Sequence, residues 1–65
     1  MTVSQLIALL QQCDQSAEVV WGDYDGMKER PTAVRRTGSE VELLASRSGT
    51  LATMREHGHD VLWAQ

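Results

Sequence analysis

Phenylalanine is absent from this 65-residue chain, and its aromatic residues are Trp21, Tyr24 and Trp63. With so few large apolar side chains, the two tryptophans are expected to be structural, each burying a large area. The single cysteine, Cys13, excludes an internal disulfide and the paired cysteines of structural zinc sites. A lone thiol fits a reducing compartment, and at this spacing it reads as a small apolar residue closing a helix face. Long apolar runs are missing too: residues 6–10 are followed at once by Gln11 and Gln12, so no membrane span is expected. The N-terminal residues hold neither a basic segment nor an uninterrupted apolar stretch, so no secretory signal is expected. Basic residues are outnumbered six to nine, for a formal charge of −3. That balance argues against nucleic-acid binding, which at this size calls for a strongly basic face. It is also too mild for an acidic nucleic-acid mimic.

What is present begins with a capped amphipathic helix. Thr2 has the chemistry of an N-cap, and Gln5 lies three residues on, where its side chain can reach back to complete a capping box. Met1 and Leu6 have the spacing of a hydrophobic staple across that cap. Val3, Leu6, Ile7, Leu10 and Cys13 recur at helical spacing, with Leu9 widening the stripe, and this stripe is expected to cover a sheet. Asp14, Gln15 and Ser16 read as a short loop. Residues 17–21 read as a strand with Ala17, Val19 and Trp21 on the face that meets the helix.

Between Gly22 and Pro31 the chain breaks character. Gly22, Asp23, Tyr24, Asp25 and Gly26 are turn chemistry, Pro31 keeps Arg30 out of helical geometry, and residues 27–30 are expected to be exposed. This irregular stretch is where a binding surface most easily sits. Residues 32–37 and 40–45 then form a hairpin around Gly38 and Ser39, with glycine first as a type II′ turn requires. Two-residue closure pairs Thr37 with Glu40, Arg35 with Glu42 and Val34 with Leu43. Val34, Val41 and Leu43 then fall on the buried face, and Arg35 and Glu42 form a surface ion pair. Arg36 falls on the core face at a strand end, where its stem can snorkel. Residues 46–49 read as a polar loop. Residues 50–57 read as two turns of helix with Leu51 and Met54 inward and Gly58 as the stop, and residues 61–63 as a last strand.

These elements give one domain over residues 1–65, near the lower size limit for folding alone. The fold class is α+β: a small two-layer domain with the N-terminal helix packed on a mainly antiparallel sheet of three to four strands, in the order α-β-β-β-α-β.

Few residues have the spacing of a reactive site. Glu56, His57, His59 and Asp60 are ligand-type side chains close in sequence, and with Asp23 or Asp25 they could hold zinc or another divalent ion. The plainer reading is a helix end, with His57 near the last carbonyls and His59 with Asp60 in a solvated turn. Asp23, Tyr24, Asp25 and Gly26 open like a calcium loop, but the later ligands are missing at the required places. No spacing supports Cys13 or a serine paired with His57 or His59 as nucleophile and base, and so short a chain has little room for a walled pocket. No enzyme activity and no cofactor are expected. Tyr24 in the acidic loop and Trp63 on a terminal strand are the aromatic side chains best placed to anchor an interface, and an exposed sheet edge would invite pairing with another chain.

Residues 2–10, the short polar loop, Ala17-Glu18-Val19-Val20 and the Asp-Tyr-Asp-Gly turn, followed by a hairpin, resemble short bacteriophage and prophage proteins of unassigned activity. The resemblance covers residues 1 to about 45 and carries no functional residues with it. It implies a phage or mobile-element setting in the cytoplasm of a bacterial host cell, where small proteins act by binding host machinery. The expected function is that of a small non-enzymatic accessory protein working by protein–protein interaction, inhibiting or modulating a host factor. Asp23, Tyr24, Asp25 and Trp63 are its expected contacts, and its partner is another protein or a second copy in a homodimer. The alternative is a small metal- or ligand-binding module using His57 and His59.

Overall fold

The computed structural model describes residues 1–21 and 30–64. The elements run α1 (Val3–Leu10), β1 (Glu18–Trp21), β2 (Ala33–Thr37), β3 (Glu40–Leu44), α2 (Ser48–Glu56) and β4 (Val61–Trp63). The α+β class and the α-β-β-β-α-β order are those the sequence predicts.

The capping box is complete. The Thr2 hydroxyl accepts from the Gln5 N–H at 3.2 Å, and the Gln5 side-chain oxygen accepts from the Thr2 N–H at 2.8 Å. Such a cap stabilises a helix by about 1 kcal/mol. At the far end of α1 the Gln15 amide donates to the carbonyls of Leu10 and Cys13, both at 2.9 Å, which satisfies acceptors that have no partner inside the helix. α2 ends in a Schellman motif. Gly58 sits at φ +89°, its N–H bonds the Arg55 carbonyl, and the His59 N–H reaches back to Met54.

The four strands lie in the order β1-β3-β2-β4. The β2–β3 hairpin has the predicted register, with Thr37 opposite Glu40, Arg35 opposite Glu42 and Val34 opposite Leu43. Gly38 has φ +56° and no other residue type has a positive φ among the described residues, which is the pattern of a type II′ turn rather than I′. β4 pairs antiparallel with the outer side of β2. β1 pairs with β3 in parallel, so the mostly antiparallel sheet is mixed.

The register sorts the side chains into two faces, and each has its own core. On one face Val34 and Val41 pack with Leu9 and Cys13 of the α1 segment, flanked by Met1, Leu6, Leu10, Ala17, Leu43 and Leu62. On the other, Ala33, Leu44 and Val61 pack with Leu51, flanked by Met54 and Trp63. Leu51 and Met54 face inward as predicted. Because α2 covers the face opposite α1, it adds a short third layer to the two expected.

Three side-chain placements differ from the sequence reading. Val3 and Ile7, expected in the covering stripe, are 77% and 50% exposed, while Leu9 is 6% exposed. The apolar arc of α1 is wider than one helix can bury against a sheet, and the contact centres on Leu9 and Cys13. Val19 and Trp21 point to the α1 face as predicted, yet they stay half-exposed because α1 packs over β2 rather than β1. Trp21 is therefore not a core tryptophan. Arg35 and Glu42 meet at 2.6 Å, but their side chains are only 22% and 15% exposed, so the pair is sheltered rather than superficial. They share the face that carries α2, which the hairpin pattern alone does not reveal.

Candidate interaction surface

β1 stands at one edge of the sheet. The Glu18 N–H donates to the Ser39 carbonyl at 2.9 Å, so Glu18 turns its main chain toward β3. In a parallel ladder alternate residues bond the same neighbour, and those between them face away. Glu18 and Val20 therefore bond β3, and the N–H and C=O of Val19 point out from the edge.

Beside this edge lies an open groove of about 120 Å³, with Leu10, Cys13, Ala17, Val19 and Val41 as its apolar lining. Leu10 places the groove against α1. Val3, Ile7 and Leu10 follow one another at i, i+4 and i+7, so they form one flank of the helix, and Leu10 shows that this flank is turned toward β1. Val19 in the groove lining and Trp21 two residues on are half-exposed along β1, and Val3 and Ile7 are exposed on the α1 flank that ends at Leu10.

The remaining chemistry-bearing residues are committed elsewhere. Arg36 does more than snorkel. Its guanidinium grips both carboxylate oxygens of Asp60, at 2.8 and 2.9 Å, and donates to the Gln12 carbonyl at 2.7 Å. One side chain so joins the end of α1 to the entry of β4, and the same pairing holds the Asp60 carboxyl below the usual carboxylate range. The Asp14 carboxyl is likewise lowered, by the N–H and hydroxyl of Ser16. Cys13 is buried, its thiol is directed at the Leu9 carbonyl, and burial pushes its pKa up against the opposing pull of Arg36. A thiol so placed is a poor nucleophile.

His57 and His59 are exposed at the α2 terminus. With Asp60 held by Arg36, among the described residues no three of His, Cys, Asp and Glu are grouped to share a metal ion. Trp63 lies on an edge strand as expected but is half-buried, with the Arg55 guanidinium 3.9 Å from its ring centre. One face of that ring is already occupied. Asp23, Tyr24 and Asp25 lie outside the described residues, as does the rest of the acidic turn.

Periodicity places Val3, Ile7 and Val19 in the core, and their exposure is visible only in the structure. The signal in the sequence is an excess: six apolar positions on a helix of 8 residues and its exit turn. Among the described residues no helix is long and apolar enough to cross a membrane. No protein-family model, no curated protein and no solved structure matches this chain.

Proposed function

We propose that this chain is a small non-enzymatic accessory protein of the phage type, which works in the cytoplasm of a bacterial host by binding another polypeptide through the β1 edge and the adjoining flank of α1. The observation that carries the reading is the exposure of Val3 and Ile7 on α1 and of Val19 and Trp21 on β1, where Val19 lines a groove against Leu10 of α1 and turns its main chain outward. Apolar anchors give such a contact its affinity, and outward main-chain groups let an extended segment add to the sheet. The states of the ionisable groups favour binding over catalysis, since Cys13 is buried with a raised pKa and Asp60 is tied to Arg36. The contacts expected at Asp23, Tyr24 and Asp25 follow β1 directly in the chain.

Site-specific photo-crosslinking in bacterial cells tests this reading. A photoreactive residue at position 3 should give a discrete protein adduct that is lost with Val19→Asp, whereas one at position 53, on exposed α2, should give none. Equal crosslinking at the two positions, or an adduct that survives Val19→Asp, overturns it.

A further inference from the structure

We infer that the polypeptide bound at this surface is a basic segment, which adds to the edge of β1 in extended form and sets a lysine or arginine against Glu18 and Glu40. This rests on the reading above that the surface binds protein, and it names the chemistry of the partner.

Carboxylates surround the start of β1. Glu18 and Glu40 are Cα partners in the parallel β1–β3 ladder, so both stand on the face that carries α2, one strand spacing of about 5 Å apart. Both residues are exposed, and neither side chain has a hydrogen bond or ion pair among the described residues. Like charges side by side on a sheet repel, so this pair weakens the free chain. Arg35, on the same face of β2, is bound to Glu42, and Arg36 is bound to Asp60 and the Gln12 carbonyl. On the opposite face Asp14 lines the groove with Val19, and the N–H and hydroxyl of Ser16 favour its ionised form.

The main chain fixes how a partner presents its own charge. Val19 turns its N–H and C=O outward, so a segment that bonds them lies in the plane of the sheet. Its side chains then alternate between the two faces. The residue opposite Val19 falls on the α1 side, against the groove lined by Leu10, Ala17 and Val19, where an apolar side chain suits it. Its sequence neighbours fall on the α2 side. The one opposite Glu18 lies about 5 Å from that backbone and about 10 Å from that of Glu40. A long basic side chain there lays its stem along the sheet and brings its charge to both carboxylates. An acidic side chain would instead add a third like charge. The formal charge of −3 favours the same class of partner during encounter.

Titration of the nitrogen-15-labelled full chain with capped synthetic heptapeptides, followed by amide chemical shifts, reads this directly. The probes alternate lysine with valine, serine with valine, or glutamate with valine. The lysine–valine peptide should give saturable shifts that are largest at residues 17–20, and it should bind at least about fivefold tighter than the serine–valine peptide. Glu18→Gln/Glu40→Gln changes two exposed side chains and removes their repulsion, so the variant should fold. It should bind the two peptides equally, and raising salt from ~0.05 to ~0.5 M should have the same effect on the wild-type chain.

No saturable binding of the lysine–valine peptide, equal binding of the lysine and serine peptides by the wild-type chain, or a preference that survives in the double variant overturns the basic segment. The crosslink at position 3 separates this from the reading beneath it. An adduct at full strength in Glu18→Gln/Glu40→Gln, or one with the mass of two copies of the chain, refutes the basic segment and leaves protein binding standing. No adduct in the otherwise unaltered chain refutes both.

Discussion

The clearest division of labour on α1 is between Leu9 and Ile7, two apolar residues of similar size. Leu9 is 6% exposed in the α1-side core and Ile7 is 50% exposed on the flank. Replacing Leu9 with alanine removes three carbons from a packed site. At about 0.8 kcal/mol per buried methylene, transfer alone costs roughly 2.5 kcal/mol, and an incompletely collapsed cavity brings the total to about 3 kcal/mol. Ile7→Ala loses about half of that burial and leaves no enclosed cavity. Alanine's better helix propensity returns a few tenths of a kcal/mol, so the net cost stays below about 1 kcal/mol. A domain of this length holds only about 3–10 kcal/mol of stability, so the first substitution consumes much of it and the second little. Urea unfolding followed by circular dichroism separates the two. With a slope near 1 kcal/mol per molar urea, the midpoint should fall by about 3 M for Leu9→Ala and by under about 1 M for Ile7→Ala. Equal falls, or a larger one for Ile7→Ala, would refute the placement of α1 and with it the exposed flank.

Further outcomes follow from the same structure. Arg36 depresses the Asp60 pKa, so this pair's contribution is present above the ordinary aspartate value of 3.8 and is lost as pH falls through the lower folded value. Melting temperatures measured from pH 7 to about pH 2 should therefore converge for wild type and Asp60→Asn in acid, and a constant offset to the lowest pH would contradict it. Gly58→Ala should cost about 1 kcal/mol, because Gly58 sits at φ +89°. Gly49→Ala, in α2 with open space around the added carbon, should instead stabilise by about 0.5 kcal/mol, and thermal melts showing the same sign for both would be wrong for this structure. Zinc or a chelator should leave the melting temperature unchanged, and a zinc-dependent rise abolished by His57→Ala would favour the metal-binding alternative.

The features that were legible in the sequence are local ones. Thr2 and Gln5 lie three residues apart, Gly38 and Ser39 close a hairpin whose alternation and charges agree on one register, and Gly58 ends α2 with bonds reaching no further than Met54. What was not legible depends on residues far apart in the chain. The parallel pairing of β1 with β3 joins Val19 to Val41, and no local pattern distinguishes it from an antiparallel neighbour. The sheltering of Arg35 and Glu42 depends on α2, which follows them in sequence and crosses to the other face. The Arg36–Asp60–Gln12 clamp spans 24 residues in each direction, and no spacing rule announces it.

The strand order is what turns a foldable pattern into a surface. β3 lies between β1 and β2, so the hairpin and β4 form one antiparallel block and β1 is added at its side. α1 is held to that block by Leu9 and Cys13 from beneath, and by Arg36, which binds the Gln12 carbonyl from β2. Both attachments draw the helix away from β1. Among the described residues, Val19 and Trp21 then have the alternation of a buried strand yet stay half-exposed, and Val3 and Ile7 have the periodicity of a buried helix yet stay exposed. In a domain with so few large side chains, four apolar residues withheld from the core represent a substantial loss of stabilising burial. A bound polypeptide that covered them would restore that burial, which is the physical reason for proposing this edge as a binding surface.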